Sequence, residues 1–203
     1  MKDIYNFANL NEVLTGAPAG EIIRQSLSLA KRPFVSTKFG PESAVLLHLL
    51  VQEYSDIPVV WVDTGFNTYA TRLYAEQLTE HLNLNLKIYR AHDEWSGFPP
   101  ELDDPKHNEF TRQVKLEPFE RALNELQPDV WFCSIRRTQT DYRSGQNYFA
   151  RTTLGLLKVA PLLDWDDTDM QVYLREHQLP VEHDYQDPTK GAARRECGLH
   201  LRF

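Results

Sequence analysis

Ile57-Pro58-Val59-Val60-Trp61-Val62, followed at once by Asp63-Thr64-Gly65, decides how this chain is read. Six apolar residues without polar alternation, rich in β-branched side chains, predict a strand buried on both faces. The abrupt change to Asp-Thr-Gly predicts a turn. Working outward, Arg32 to Ser36 reads as a shorter strand with a turn at Gly40-Pro41. Ser43 to Tyr54 has helical spacing, with Val45, Leu46, Leu49 and Leu50 on one side. Thr68 to His81 predicts a helix and Leu84 to Tyr89 a strand. Pro118 suits the first turn of a helix running to about Leu126. Val130 to Ile135 is another buried strand, and Asp166, Asp167 and Thr168 cap a helix to about Gln178. Strand and helix alternate, so the expected class is α/β: a parallel sheet with helices on both faces. Segment 91–114, with Trp95, Gly97 and three prolines, predicts a long loop serving as a lid. Segment 180–203 predicts an extended, flexible tail, giving a domain over 1–180 and a tail over 181–203.

Composition narrows the function. The 203 residues are 41% hydrophobic and 25% charged, which is globular composition and long enough for a real core. No apolar run approaches the ~18 residues of a membrane span. The opening Met-Lys-Asp-Ile-Tyr-Asn has no apolar signal region, so a cytoplasmic location is expected, with no membrane partner. Lys plus Arg is 22 against 29 Asp plus Glu, a net −7. The deficit lies in the first 130 residues; the last 14 carry Lys190, Arg194, Arg195 and Arg202 against Glu196 alone. An acidic protein with a basic tail is a poor nucleic-acid binder but a fair receptor for a small anion. Two cysteines, Cys133 and Cys197, exclude a disulfide framework and four-thiolate metal ligation within one chain. The histidines at 81, 92, 107, 177 and 183 show no metal spacing, and metal binding is not expected.

In an open parallel sheet, ligands bind beyond the carboxyl ends of the strands. Three such ends carry chemistry. Ser36-Thr37-Lys38-Phe39-Gly40 combines hydroxyls, a glycine and an approaching helix N-terminus, as a phosphate needs. Asp63-Thr64-Gly65 offers a carboxylate for a sugar hydroxyl or base edge, or simply a helix cap. Arg136-Arg137-Thr138-Gln139, with Arg143, presents guanidinium forks suited to phosphate or sulfate oxygens. Cys133 sits mid-strand and reads as a small core residue. Cys197 lies in Arg194-Arg195-Glu196-Cys197-Gly198-Leu199-His200, where neighbouring cations lower a thiol pKa and glycine frees the backbone. It reads as a nucleophile.

These residues, in this order, resemble the sulfonucleotide reductases. Glu196-Cys197-Gly198-Leu199-His200 is similar to that family's hallmark tail, and Ser36-Thr37-Lys38-Phe39-Gly40 to its modified phosphate loop. Asp63-Thr64-Gly65, Lys115-Leu116-Glu117-Pro118, the Arg136 to Arg143 segment and Lys158 to Trp165 are similar to further family segments. The resemblance runs from about residue 10 to the end. It implies an adenine nucleotide α-hydrolase-like, Rossmann-like fold. The paired cysteines of the iron–sulfur branch are absent, so the resemblance is to the cluster-free branch that uses 3′-phosphoadenylyl sulfate (PAPS), with no bound cofactor.

The family then implies assimilatory sulfate reduction, on the way to cysteine. PAPS would yield sulfite and adenosine 3′,5′-bisphosphate through an S-sulfocysteine on Cys197. Thioredoxin or glutaredoxin would be the reductant, and a homodimer is an open expectation. Ser36, Thr37, Phe39, Gly40, Asp63, Thr64, Gly65, Arg136, Arg137, Gln139, Arg143, Arg194, Arg195 and His200 are the expected substrate-binding residues. Only Leu179 to Arg195 separates the last helix from the tail, shorter than the family's connection. That keeps a second reading open: a degenerate paralogue that binds nucleotide or senses redox state. An ATP-pyrophosphatase is a third, but the first loop lacks that group's Ser-Gly-Gly-x-Asp-Ser.

Overall fold

The computed structural model describes residues 7–190 and residue 199. Helices α1 (Phe7–Val13) and α2 (Ala19–Leu29) precede the first strand. The sequence reading assigned neither, although Ile22, Ile23 and Ser26 give α2 a buried face. Then come β1 (Pro33–Thr37), α3 (Ser43–Glu53), β2 (Pro58–Val62), α4 (Tyr69–Leu82) and β3 (Asn85–Tyr89). The chain continues through α5 (His107–Thr111), a π-helical turn (Arg112–Leu116), α6 (Glu117–Leu126) and β4 (Val130–Phe132). A 3₁₀ turn (Arg137–Gln139), α7 (Asp141–Ser144), β5 (Phe149–Arg151), β6 (Leu157–Val159) and α8 (Asp167–Glu176) complete the described elements.

The sheet order is β3-β2-β1-β4-β6-β5. The first five of these strands are mutually parallel, as the alternation predicted. The exception is the β5–β6 pair, which is antiparallel and was not anticipated. Residues 152–156 join these two short strands through Gly155 at φ 86°. Strand order reverses beside β1, since β2 lies on one side of it and β4 on the other. That switch point is where an open sheet leaves a crevice.

An aromatic layer fixes the switch point from below. Phe34, Trp131 and Phe119 are at most 1% exposed and contact one another at ring separations of 5.2 to 6.2 Å. Burying each such ring contributes about 2–3 kcal/mol. Above them the Trp131 indole N–H donates to Ser36 Oγ at 2.8 Å, tying β4 to β1 where the crevice opens.

Two expectations are corrected. Residues 107–116 are helical rather than loop, because Phe110 and Val114 bury an apolar face beneath segment 91–106. Residues 181–190 are packed rather than loose. Glu182 and Thr189 are buried, and Thr68 Oγ1 donates to the Asp184 carbonyl. Among the described residues, no helix is long and apolar enough to cross a membrane.

Candidate active site

The crevice at the switch point is a cleft with about 870 Å³ of open space, its mouth included. Its floor comes from the carboxyl ends of three strands. β1 gives Ser36 and Thr37, β2 gives Val60, Trp61 and Val62, and the exit of β4 gives Cys133, Ser134 and Ile135. Among the described residues, its rim carries Lys38, Lys115, Arg143 and Lys190 against one carboxylate, Asp187. Thr64, Asn67, Phe119, Gln139, Tyr185, Pro188 and Leu199 also line it.

The loop from Ser36 to Gly40 owes its shape to one strained residue. Phe39 has φ 50°, a left-handed conformation that a bulky side chain adopts only when its surroundings impose it. Here its fully buried ring meets Trp61 and Tyr74 edge-on. The backbone therefore turns Lys38 outward, and Thr37 Oγ1 accepts the Phe39 N–H. A Cβ at Gly40 would meet the flexible end of the Lys38 side chain, 2.9 Å from Cε, and the Tyr185 ring at 3.6 Å. Lys38 Nζ lies 4.6 Å from the centre of the Tyr185 ring, which fastens the loop to segment 181–190.

Lys115 sits on the π-helical turn, a feature that recurs at functional sites. Its ammonium faces the cleft. There it donates to Asp187 Oδ2 at 2.8 Å and to Thr189 Oγ1 at 2.9 Å. Burial pushes the Asp187 carboxyl up, but the Lys115 charge and the bonds from Lys115 and Thr189 outweigh it and hold the pKa at about 2. Arg143 is 7% exposed and donates to Gln139 Oε1.

Several expected ligands are placed elsewhere. Arg136 is buried away from the cleft, between Glu42 and Asp167. Arg137 turns the other way, to Asp164 and to the Ser144 and Gln146 carbonyls. The Phe39 ring belongs to the core. Asp63 is 2% exposed, and its carboxylate holds its own turn, accepting from Gly65 N–H, Asn67 Nδ2 and Arg90 Nε. Burial raises its pKa, but the bonds from Arg90, Gly65 and Asn67 outweigh that and leave it lowered. Gly65, at φ 84°, opens with Asp63 onto a neighbouring depression bordered by Arg72 and Arg90. Ser36, Thr37, Thr64, Gln139 and Arg143 do face the cleft. Cys197, Arg194, Arg195 and His200 lie outside the described residues. Leu199, two positions beyond Cys197, is described and lines the cleft.

A family model described as the phosphoadenosine phosphosulfate reductase domain matches residues 32–187. The chain belongs to the phosphoadenosine phosphosulfate reductase family. A phosphoadenosine 5′-phosphosulfate reductase of Vibrio vulnificus is 35% identical over 194 residues, covering 82% of this chain and 75% of that protein. One from Xanthomonas oryzae pv. oryzae is 34% identical, covering 94% of this chain and 91% of its own. A phosphoadenylyl-sulfate reductase from Candida auris, solved as a phosphate complex, superposes with a TM-score of 0.76 at 20% identity, covering 87% of both chains. An FMN adenylyltransferase of Candida glabrata superposes at 0.61 with 16% identity, covering 81% of this chain and 58% of that one. At such identities the two structures speak to fold, which is the adenine nucleotide α-hydrolase-like fold.

Within this reductase family fold, sequence reasoning missed Asn67, Lys115, Tyr185, Asp187 and Lys190 as cleft residues. Lys115 opens the Lys115-Leu116-Glu117-Pro118 segment that resembles the family, and that is the signal that marks it. Nothing in the polar stretch 185–190 announces that it packs. Among the described residues, no group of His, Cys, Asp and Glu side chains is placed to hold a metal ion.

Proposed function

We propose that this chain reduces PAPS to sulfite and adenosine 3′,5′-bisphosphate, with Cys197 as the nucleophile. The observation that carries the reading is the cationic cleft at the switch point, walled by the phosphate loop and reached by Leu199, two residues past that cysteine. Apolar Val60, Trp61 and Val62 suit a base, while Ser36, Thr37 and Lys38 suit phosphate oxygens. Lys115 and Arg143 suit the phosphosulfate, whose charge must be offset before one anion attacks another.

The chemistry balances without a resident cofactor. The Cys197 thiolate attacks the sulfonate sulfur, an S–S bond forms and the S–O bond breaks. The bridging oxygen keeps its electron pair and leaves as adenosine 3′,5′-bisphosphate. A thiolate of thioredoxin or glutaredoxin then attacks Cys197 Sγ and releases sulfite. The partner's second thiol resolves the mixed disulfide, so two electrons pass from the dithiol to sulfur. The reading calls for a reducing compartment such as the cytoplasm, because the partner must stay a dithiol.

Mass spectrometry after mixing with PAPS alone tests it. The expected result is a gain of one SO₃ on Cys197, lost on adding reduced thioredoxin, and absent in Cys197→Ser but kept in Cys133→Ser. Binding of adenosine 3′,5′-bisphosphate without any adduct or sulfite would instead favour a degenerate nucleotide-binding paralogue.

A further inference from the structure

Arg136 occupies an unusual position for a charged residue outside a binding site. Its side chain is 4% exposed. Nη2 donates to Glu42 Oε2 at 2.5 Å and Nη1 to Asp167 Oδ1 at 2.7 Å, while Nε is buried without a partner. A fork filled this way cannot take a phosphate without giving up a carboxylate. Its two partners sit on different elements. Glu42 precedes α3, two residues past Gly40, where Ser43 N–H donates to the Gly40 carbonyl. Asp167 belongs to the first turn of α8.

The main chain of Arg136 does a second job. Its N–H donates to Gln139 Oε1 at 3.1 Å, and the same oxygen accepts from Arg143 Nη1. Gln139 and Arg143 both face the cleft. One residue therefore fixes both rims: its side chain holds the exit of the phosphate loop, and its backbone holds the amide that steers Arg143. We propose that Glu42, through Arg136, is a positioning residue that sets the phosphate loop against Arg143 and so tunes the grip on the substrate's phosphates. This rests on the functional reading above only for what the loop grips.

The two carboxylates separate positioning from plain stability. The Glu42 side chain is 24% exposed and Asp167 85%. The first arm is largely dry and stiff; the second is wet and weak.

The experiment compares Glu42→Gln with Asp167→Asn. Amide hydrogen exchange over residues 36–43 is read without nucleotide, and adenosine 3′,5′-bisphosphate affinity is read by calorimetry. Glu42→Gln should quicken exchange in that loop and weaken the nucleotide about tenfold, the size of one charge-assisted hydrogen bond. KM for PAPS should rise more than kcat falls. Asp167→Asn should change each reading less than about twofold. Arg136→Lys keeps the charge, loses the fork, and should follow Glu42→Gln; it serves if the first variant folds poorly. Unchanged loop exchange in both Glu42→Gln and Arg136→Lys, or equal effects of the two carboxylate variants, would overturn the proposal. Because exchange needs no turnover, a chain that makes no sulfite sinks the functional reading while this comparison still decides.

Discussion

Arg136 and Arg137 differ from Lys115 and Arg143 in what their charges meet. The first two follow β4 directly, and their forks are filled by groups outside the cleft: Glu42 and Asp167 for one, Asp164 and two backbone carbonyls for the other. Lys115 comes from the π-helical turn before β4 and Arg143 from α7 after it, and both line the cleft, where their partners Asp187, Thr189 and Gln139 are also cleft residues or lie beside them. Adjacency in sequence did not confer a shared role. Arg136 is in extended backbone and Arg137 begins a 3₁₀ turn, so their side chains leave in different directions.

The largest expected effect tests the ion pairs themselves. Asp187→Ala would leave Lys115 buried and unpaired, since both side chains are nearly dry at 8% and 11% exposed. It should cost about 3–5 kcal/mol in urea unfolding. Asp164→Ala removes a pair that is 48% and 33% exposed, together with the acceptor of the Tyr148 hydroxyl, and should cost about 1–2 kcal/mol. Equal losses would erase the distinction between the two groups.

Next comes ligand affinity. Arg143→Ala should weaken adenosine 3′,5′-bisphosphate by about 10- to 100-fold in calorimetry, the range of a charged hydrogen bond. Arg137→Ala should change it by less than about threefold. A larger loss at 137 than at 143 would reverse the assignment.

Acid titration sharpens the same contrast. Asp187 sits at about 2 in the folded protein against an ordinary 3.8, so its folded pKa is depressed. Its stabilisation is fully present above about pH 4 and is lost as pH falls through about 2. The gap should be about 2 kcal/mol. Urea midpoints of wild type and Asp187→Asn should therefore converge over that window. Curves that stay parallel would show that the pair adds no pH-dependent stability. The smallest effect is expected at His92, which is 72% exposed and 3.6 Å from Glu117. His92→Ala should move stability by less than about 0.5 kcal/mol in thermal unfolding.

The fold was legible where the chain used strong local signals. The Ile57 to Val62 run, the Asp166 cap of α8 and the apolar side of α3 announced themselves. The β5–β6 hairpin did not, because three-residue strands carry too little period to read. The helical 107–116 segment was hidden by the prolines just ahead of it. For the site, Ser36, Thr37, Thr64, Gln139 and Arg143 were legible as polar residues at strand ends.

The amino-acid order by itself determined that strands and helices alternate, that polar residues such as Ser36, Thr37 and Thr64 follow the buried strands, and which family the motifs resemble. These follow from periodicity and residue type, which are local. Only the tertiary structure decided which cations face the cleft, that Phe39 is swallowed by the core, and that Asp187 folds back onto Lys115 from 72 residues away. Direction and pairing depend on what other segments place within reach, and no stretch of sequence carries that information alone.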